Sequence, residues 1–124
     1  DKAIENYQQA LALSRKLGKE DWITLSLNNM GMVYKSLGQY NKAMENCQQA
    51  LAIARRLGTE DLIATSLNNI GQVYNDWGQY DKAIENYQQA LTIARKLGSE
   101  NMVSKSLMNI EKAKKNIILK EAKE

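Results

Sequence analysis

Apolar residues in this chain recur at helical spacing. Leu67, Ile70, Gly71 and Tyr74 fall at i, i+3, i+4 and i+7, which is one face of an α-helix. Ala83, Tyr87, Ala90 and Leu91 follow the same spacing, with Ile84 alongside. Between the two runs lies Gly78-Gln79-Tyr80. Gly78 suits the left-handed residue that closes a helix, and Asp81 sits where a carboxylate favours the start of the next one. The pattern predicts a helical hairpin without strands. Gly71, Ala83 and Ala90 let its two helices approach closely, and Leu67, Ile70, Tyr74 and Tyr87 fill the remaining space.

The hairpin repeats. Forty residues earlier stand Leu27, Met30, Gly31 and Tyr34, then Gly38, Tyr40, Ala43, Met44, Cys47, Ala50 and Leu51. Another forty back, only the second half is present, as Ala3, Ile4, Tyr7, Ala10 and Leu11. A fixed period in this range marks a stacked-repeat architecture. Residues 1–40 and 41–80 agree at 25 of 40 positions, and such uniformity favours a constant rotation per unit and hence a superhelix with a concave groove.

The expected organisation is a single all-α domain over 1–124, an α-solenoid of six helices. Residues 1–17 are the second helix of an incomplete unit, 20–57 and 60–97 are complete units, and 100–124 form a terminal helix. Thr59 and Ser99 are candidate N-caps. In the terminal helix Val103, Leu107 and Ile110 keep the register, but Glu111 replaces the glycine and Lys114 the tyrosine. That is the composition of a capping helix with one polar face, which repeat arrays need for solubility. The chain opens inside a unit, so it reads as a fragment of a longer protein.

Leu-x-x-Ile-Gly-x-x-Tyr followed by Gly-x-Tyr-x-x-Ala-Ile-x-x-Tyr-x-x-Ala-Leu resembles the tetratricopeptide repeat (TPR), over residues 1 to about 110. The period is 40 rather than the family's common 34. Arg15, Arg55 and Arg95 replace the helix-closing proline, and the chain has no proline. Longer, proline-free units of this kind are similar to those of spindle-orientation scaffolds and, less closely, kinesin light chains. The resemblance implies a right-handed superhelix and a protein-binding role.

Composition narrows the function classes. Histidine is absent, which removes the commonest general base and metal ligand. The seven glycines are accounted for by helix packing and turns, leaving none for a phosphate-binding loop. No enzyme and no cofactor is implied. The net charge of +3 is mild and both signs are interspersed, which favours solvated helix faces over a nucleic-acid surface. The exception is the end of the chain, where Lys112, Lys114, Lys115, Lys120 and Lys123 cluster. No apolar run approaches the length of a membrane span. Cys47, the one cysteine, occupies the slot of Tyr7 and Tyr87 and is expected to be a buried, unreactive thiol. A chain without disulfides fits a reducing compartment, and the expected location is cytoplasmic.

The helical wheel selects a candidate binding face. Each residue advances about 100°, so Leu25, Asn29, Met32 and Ser36 lie opposite the packed face of Leu27, Met30 and Gly31. Val33 and Val73 lie between, where the neighbouring unit should pack. The corresponding positions in the next units are Thr65, Asn69, Gln72 and Asp76, then Lys105, Asn109, Lys112 and Asn116. In TPR arrays this face lines the concave groove. Asn29, Asn69 and Asn109 hold one residue type there, although asparagine is a poor helix-interior residue. Two readings stand: a ladder of amides that grips a peptide backbone, resembling the asparagine ladder of O-linked N-acetylglucosamine transferase, or copies of a solvated or inter-repeat hydrogen-bonding position. Asn28 and Asn68 rank lower, being one step off the face. The lysine/asparagine clamp by which some TPR proteins grip chaperone tails is not matched.

The expected peptide-binding set is therefore Leu25, Asn29, Met32, Thr65, Asn69, Gln72, Lys105, Asn109 and Lys112. The alternatives are a structural spacer or self-assembling segment of a longer scaffold or signalling protein, and a regulatory domain fused to an enzyme. End-to-end self-association is a further expectation, because Ala3, Ile4, Tyr7 and Leu11 have no preceding helix to cover them.

Overall fold

The computed structural model describes residues 1–124 as six α-helices: α1 (Lys2–Leu17), α2 (Glu20–Ser36), α3 (Tyr40–Leu57), α4 (Glu60–Asp76), α5 (Tyr80–Leu97) and α6 (Glu100–Lys123). The outer limits of α1, of the two hairpins and of α6 lie within a residue of the spans 1–17, 20–57, 60–97 and 100–124 read from the hydrophobic pattern. The second helix of each hairpin ends on a glycine in the left-handed region, at φ 68–69° for Gly18, Gly58 and Gly98. After Gly58, the Thr59 N–H turns back to Ala54 O at 3.1 Å, which satisfies a carbonyl that the helix end would leave free.

One expected cap is absent. Thr59 occupies the N-cap position of α4, but its side chain makes no capping hydrogen bond. Glu60 and Asp61 in the first turn complement that helix end electrostatically instead. Ser99 does cap α6, its hydroxyl accepting from Met102 N at 3.3 Å, and Asp1 caps α1 by accepting from Ala3 N at 2.7 Å.

Consecutive helices pack on one another, and the first-type helices α2, α4 and α6 also pack in series, α2 on α4 and α4 on α6. The architecture is an α-solenoid without strands. Its largest core cluster joins Ala43, Cys47, Leu51, Leu67, Ile70 and Val73 across the two complete units. Val73 is fully enclosed there, whereas Val33 is half-buried.

Gly71 sits where the helices of the second hairpin meet, and a Cβ on it would lie 2.5 Å from Tyr87 Cε1. Gly31 plays the same part against Cys47 Sγ. Burial also fixes the protonation of that thiol, desolvation pushing Cys47 up to about 12 from 9.0. Each hairpin carries one more recurring tie, Arg56 to Glu20 and Lys96 to Glu60. These pairs are largely exposed and contribute little to stability.

In α6, Leu107 is 44% exposed, although its equivalents Leu27 and Leu67 are 1% and 2% exposed. Leu27 and Leu67 share core clusters with Ala50 and Ala90 of the second-type helices α3 and α5.

Candidate protein-interaction surface

The first-type helices carry between them a small polar pocket of about 180 Å³, lined among others by Lys35, Gln72, Asn75, Asp76, Asn109 and Lys112. Lys35 is held at its edge: the ammonium donates to Gln72 Oε1 at 3.3 Å and lies 3.8 Å from the Asp76 carboxylate. Asn116 Nδ2 donates to Asn75 Oδ1 at 3.1 Å, tying α6 to α4. Tyr87 reaches the pocket from α5. Burial, reinforced by the nearby Asp76 charge, raises its hydroxyl pKa, so that it stays a neutral donor and acceptor. Lys35 and Lys112 outnumber Asp76, leaving the pocket with a positive balance.

The amide nitrogen of Asn109 is enclosed and meets no acceptor. An enclosed donor without a partner costs roughly 1–3 kcal/mol.

Three of the residues expected from the sequence, Gln72, Asn109 and Lys112, meet in this pocket. Leu25 and Asn29 lie elsewhere, in a separate groove of about 320 Å³ between α1 and α2 that also contains Tyr7, Ala10 and Trp22. Met32 packs against the main core cluster. Thr65 is half-buried, and its hydroxyl donates to Asp61 O within its own helix at 2.9 Å. Lys105 is exposed. Asn69 is only 7% exposed, Asn29 is exposed and Asn109 is half-buried. The three asparagines therefore occupy three different environments.

The asparagines ranked lower in the sequence carry a recurring structural contact. Asn28 and Asn68 are 3% and 2% exposed. Asn28 Nδ2 donates to Ser66 Oγ at 3.1 Å, and Ser106 Oγ donates to Asn68 Oδ1 at 3.2 Å. Each rung joins one first-type helix to the next. The available signal was the constant series Ser26, Ser66 and Ser106, spaced at the repeat period.

The tetratricopeptide repeat family matches residues 22–96, and the chain belongs to that family. Among solved structures, BtubC (BKLC) from P. vanneervenii is similar, with a TM-score of 0.82 and 30% identity over 94% of this chain. The match covers 49% of that chain, so the present chain spans about half its length. No curated protein matches. Members of the family are in general protein–protein interaction modules and typically not enzymes. No helix here is long and apolar enough to cross a membrane.

Proposed function

We propose that the face built by α2, α4 and α6 binds an extended segment of a partner protein, with the pocket of Gln72, Asn109 and Lys112 as its anchor. The observation that carries this reading is the Asn109 amide, which lines the pocket and has a donor that no group of the chain satisfies. A turn of the Asn109 side chain brings that enclosed nitrogen to the pocket, where a peptide carbonyl or carboxylate supplies the missing acceptor. The positive balance from Lys35 and Lys112 favours an acidic stretch at the α6 end of the groove. Leu25 and Asn29 contact the segment at its far end, in the groove between α1 and α2. Thr65 and Asn69 contribute mainly to the stack, Met32 to the core, and Lys105 to long-range attraction. A reducing compartment such as the cytoplasm suits the buried thiol.

A pull-down followed by mass spectrometry tests this, comparing the parent with a Gln72→Ala, Asn109→Ala, Lys112→Glu variant. The expected result is that specifically captured proteins are lost while the melting temperature stays near that of the parent. An unchanged captured set contradicts the reading. The Asn–Ser rungs favour a second reading, in which the chain is a spacer in a longer scaffold. Under it neither protein captures a specific partner.

A further inference from the structure

The first-type helices differ from unit to unit at exposed positions, with Ser36 against Asp76 and Leu37 against Trp77. The second-type helices differ far less. Glu45, Gln48, Gln49 and Arg55 of α3 are all exposed, and they recur unchanged as Glu85, Gln88, Gln89 and Arg95 of α5. The same four residues stand in α1. The enclosed slot beneath them is the one that varies, Cys47 against Tyr87. A solvated helix face tolerates most polar residues, so the fold does not require this identity.

Helical geometry gathers these residues on one side. At about 100° per residue, Glu45, Gln48, Gln49, Ala52 and Arg55 span an arc of roughly 120°, opposite the enclosed Ala43, Cys47, Ala50 and Ala54. The neighbouring charges are turned aside or paired. Lys42 and Lys82 lie over the rings of Tyr34 and Tyr74, at 5.6 and 5.7 Å. Arg56 is paired with Glu20, and Lys96 with Glu60. No ion pair of the chain takes Glu45, Glu85, Arg55 or Arg95. Each free face therefore holds an unpaired acid near its start and an unpaired base near its end, about 15 Å apart along the helix. Asp81, also exposed, adds to the acidic end of α5.

We infer that a second copy of this chain docks on this face, antiparallel, about a two-fold axis between α3 and α5. One copy's α3 then lies along the other copy's α5. Glu45 meets Arg95, Arg55 meets Glu85, and the axis makes each contact twice. The glutamines meet one another between these ends, which suits an amide because it both donates and accepts. Ala52 and Thr92 are small enough to let the helices approach. A parallel arrangement would set acid against acid and base against base, so the charge layout fits a second copy in the antiparallel sense. Exposed polar groups make the whole contact, which is therefore weak and sensitive to salt. It uses neither the Asn109 pocket nor the face of α2, α4 and α6, and stands apart from the proposed function.

Sedimentation at rising concentration in low salt tests it. The parent should plateau at two chains and return to one as salt is added. Arg15→Glu, Arg55→Glu and Arg95→Glu together should abolish the dimer. Adding Glu5→Arg, Glu45→Arg and Glu85→Arg to that variant returns the net charge to the parent's +3 and should restore the dimer. A parent that stays monomeric or grows past two overturns the inference. So does an arginine-reversed chain that still dimerises, or a fully swapped chain that keeps its helix content and stays monomeric. If the swap lowers the helix content, Ala52→Arg with Thr92→Arg, both at exposed positions, decides instead. Loss of the dimer then supports the inference, and an unchanged dimer overturns it.

Discussion

Ser106 Oγ donates to Asn68 Oδ1 at 3.2 Å, one unit after Asn28 Nδ2 donates to Ser66 Oγ at 3.1 Å. The same two residue types meet at both junctions with donor and acceptor exchanged, which a hydroxyl permits because it can play either part. The contact joins helices that are two apart in the chain, and so sets how one unit sits on the next.

These rungs predict a clear ranking. Asn68→Ala leaves the Ser106 hydroxyl buried without its acceptor and should cost about 1–3 kcal/mol. Asn29→Ala, at an exposed position, should change stability by less than about 0.5 kcal/mol. Urea denaturation of the two variants checks the order. Equal effects would mean that the rung does not hold the junction.

Gly71→Ala sets two effects against each other. Alanine is the better helix former by roughly 1 kcal/mol, but its Cβ would lie 2.5 Å from the Tyr87 ring. Overpacking of this kind costs about 1–3 kcal/mol, and Tyr87 is enclosed and cannot swing away. Net destabilisation is expected, and it should shrink or reverse in a Tyr87→Ala background. Additive effects in the double variant would place the clash elsewhere.

Cys47 should be inert and its burial should be felt at high pH. The folded state holds the thiol proton up to about 12, whereas the unfolded chain loses it near 9.0. Between those values the unfolded state binds fewer protons, so stability is full below about pH 9 and falls as pH rises, by at most about 1.4 kcal/mol per unit from this group. Tyr87 is shifted in the same direction. A thiol reagent should react slowly with the native chain and fully in denaturant, and Cys47→Ala should flatten the alkaline limb of the stability profile. Rapid native labelling would contradict the buried assignment.

Much of this fold was legible in the sequence because its determinants are local. The helix faces follow from 3.6-residue spacing, and the breaks from Gly18, Gly58 and Gly98. The close contact at Gly71 follows from its place among Leu67, Ile70 and Tyr74. The binding face was only partly legible. Gln72, Asn109 and Lys112 share one pocket because their helices stack side by side. Leu25 and Asn29 fall instead in a separate groove, because there the neighbour of α2 is α1 and not a first-type helix. Asn28 and Asn68 were undervalued for a physical reason. Their partners lie 38 residues away on a non-adjacent helix, where single-helix periodicity carries no information, and Met108 interrupts the series.

A partner held on the face of α2, α4 and α6, as proposed, would perturb the backbone amides of that face. Amide-resolved NMR of the isotopically labelled chain, titrated with an acidic peptide taken from a captured partner, tests it most directly. Shift changes should concentrate at Gln72, Asn75, Asn109 and Lys112, and affinity should fall about tenfold with Asn109→Ala, on the order of 1.4 kcal/mol. Changes confined to the second-type helices α3 and α5, with Asn109→Ala binding as tightly as the parent, would contradict it.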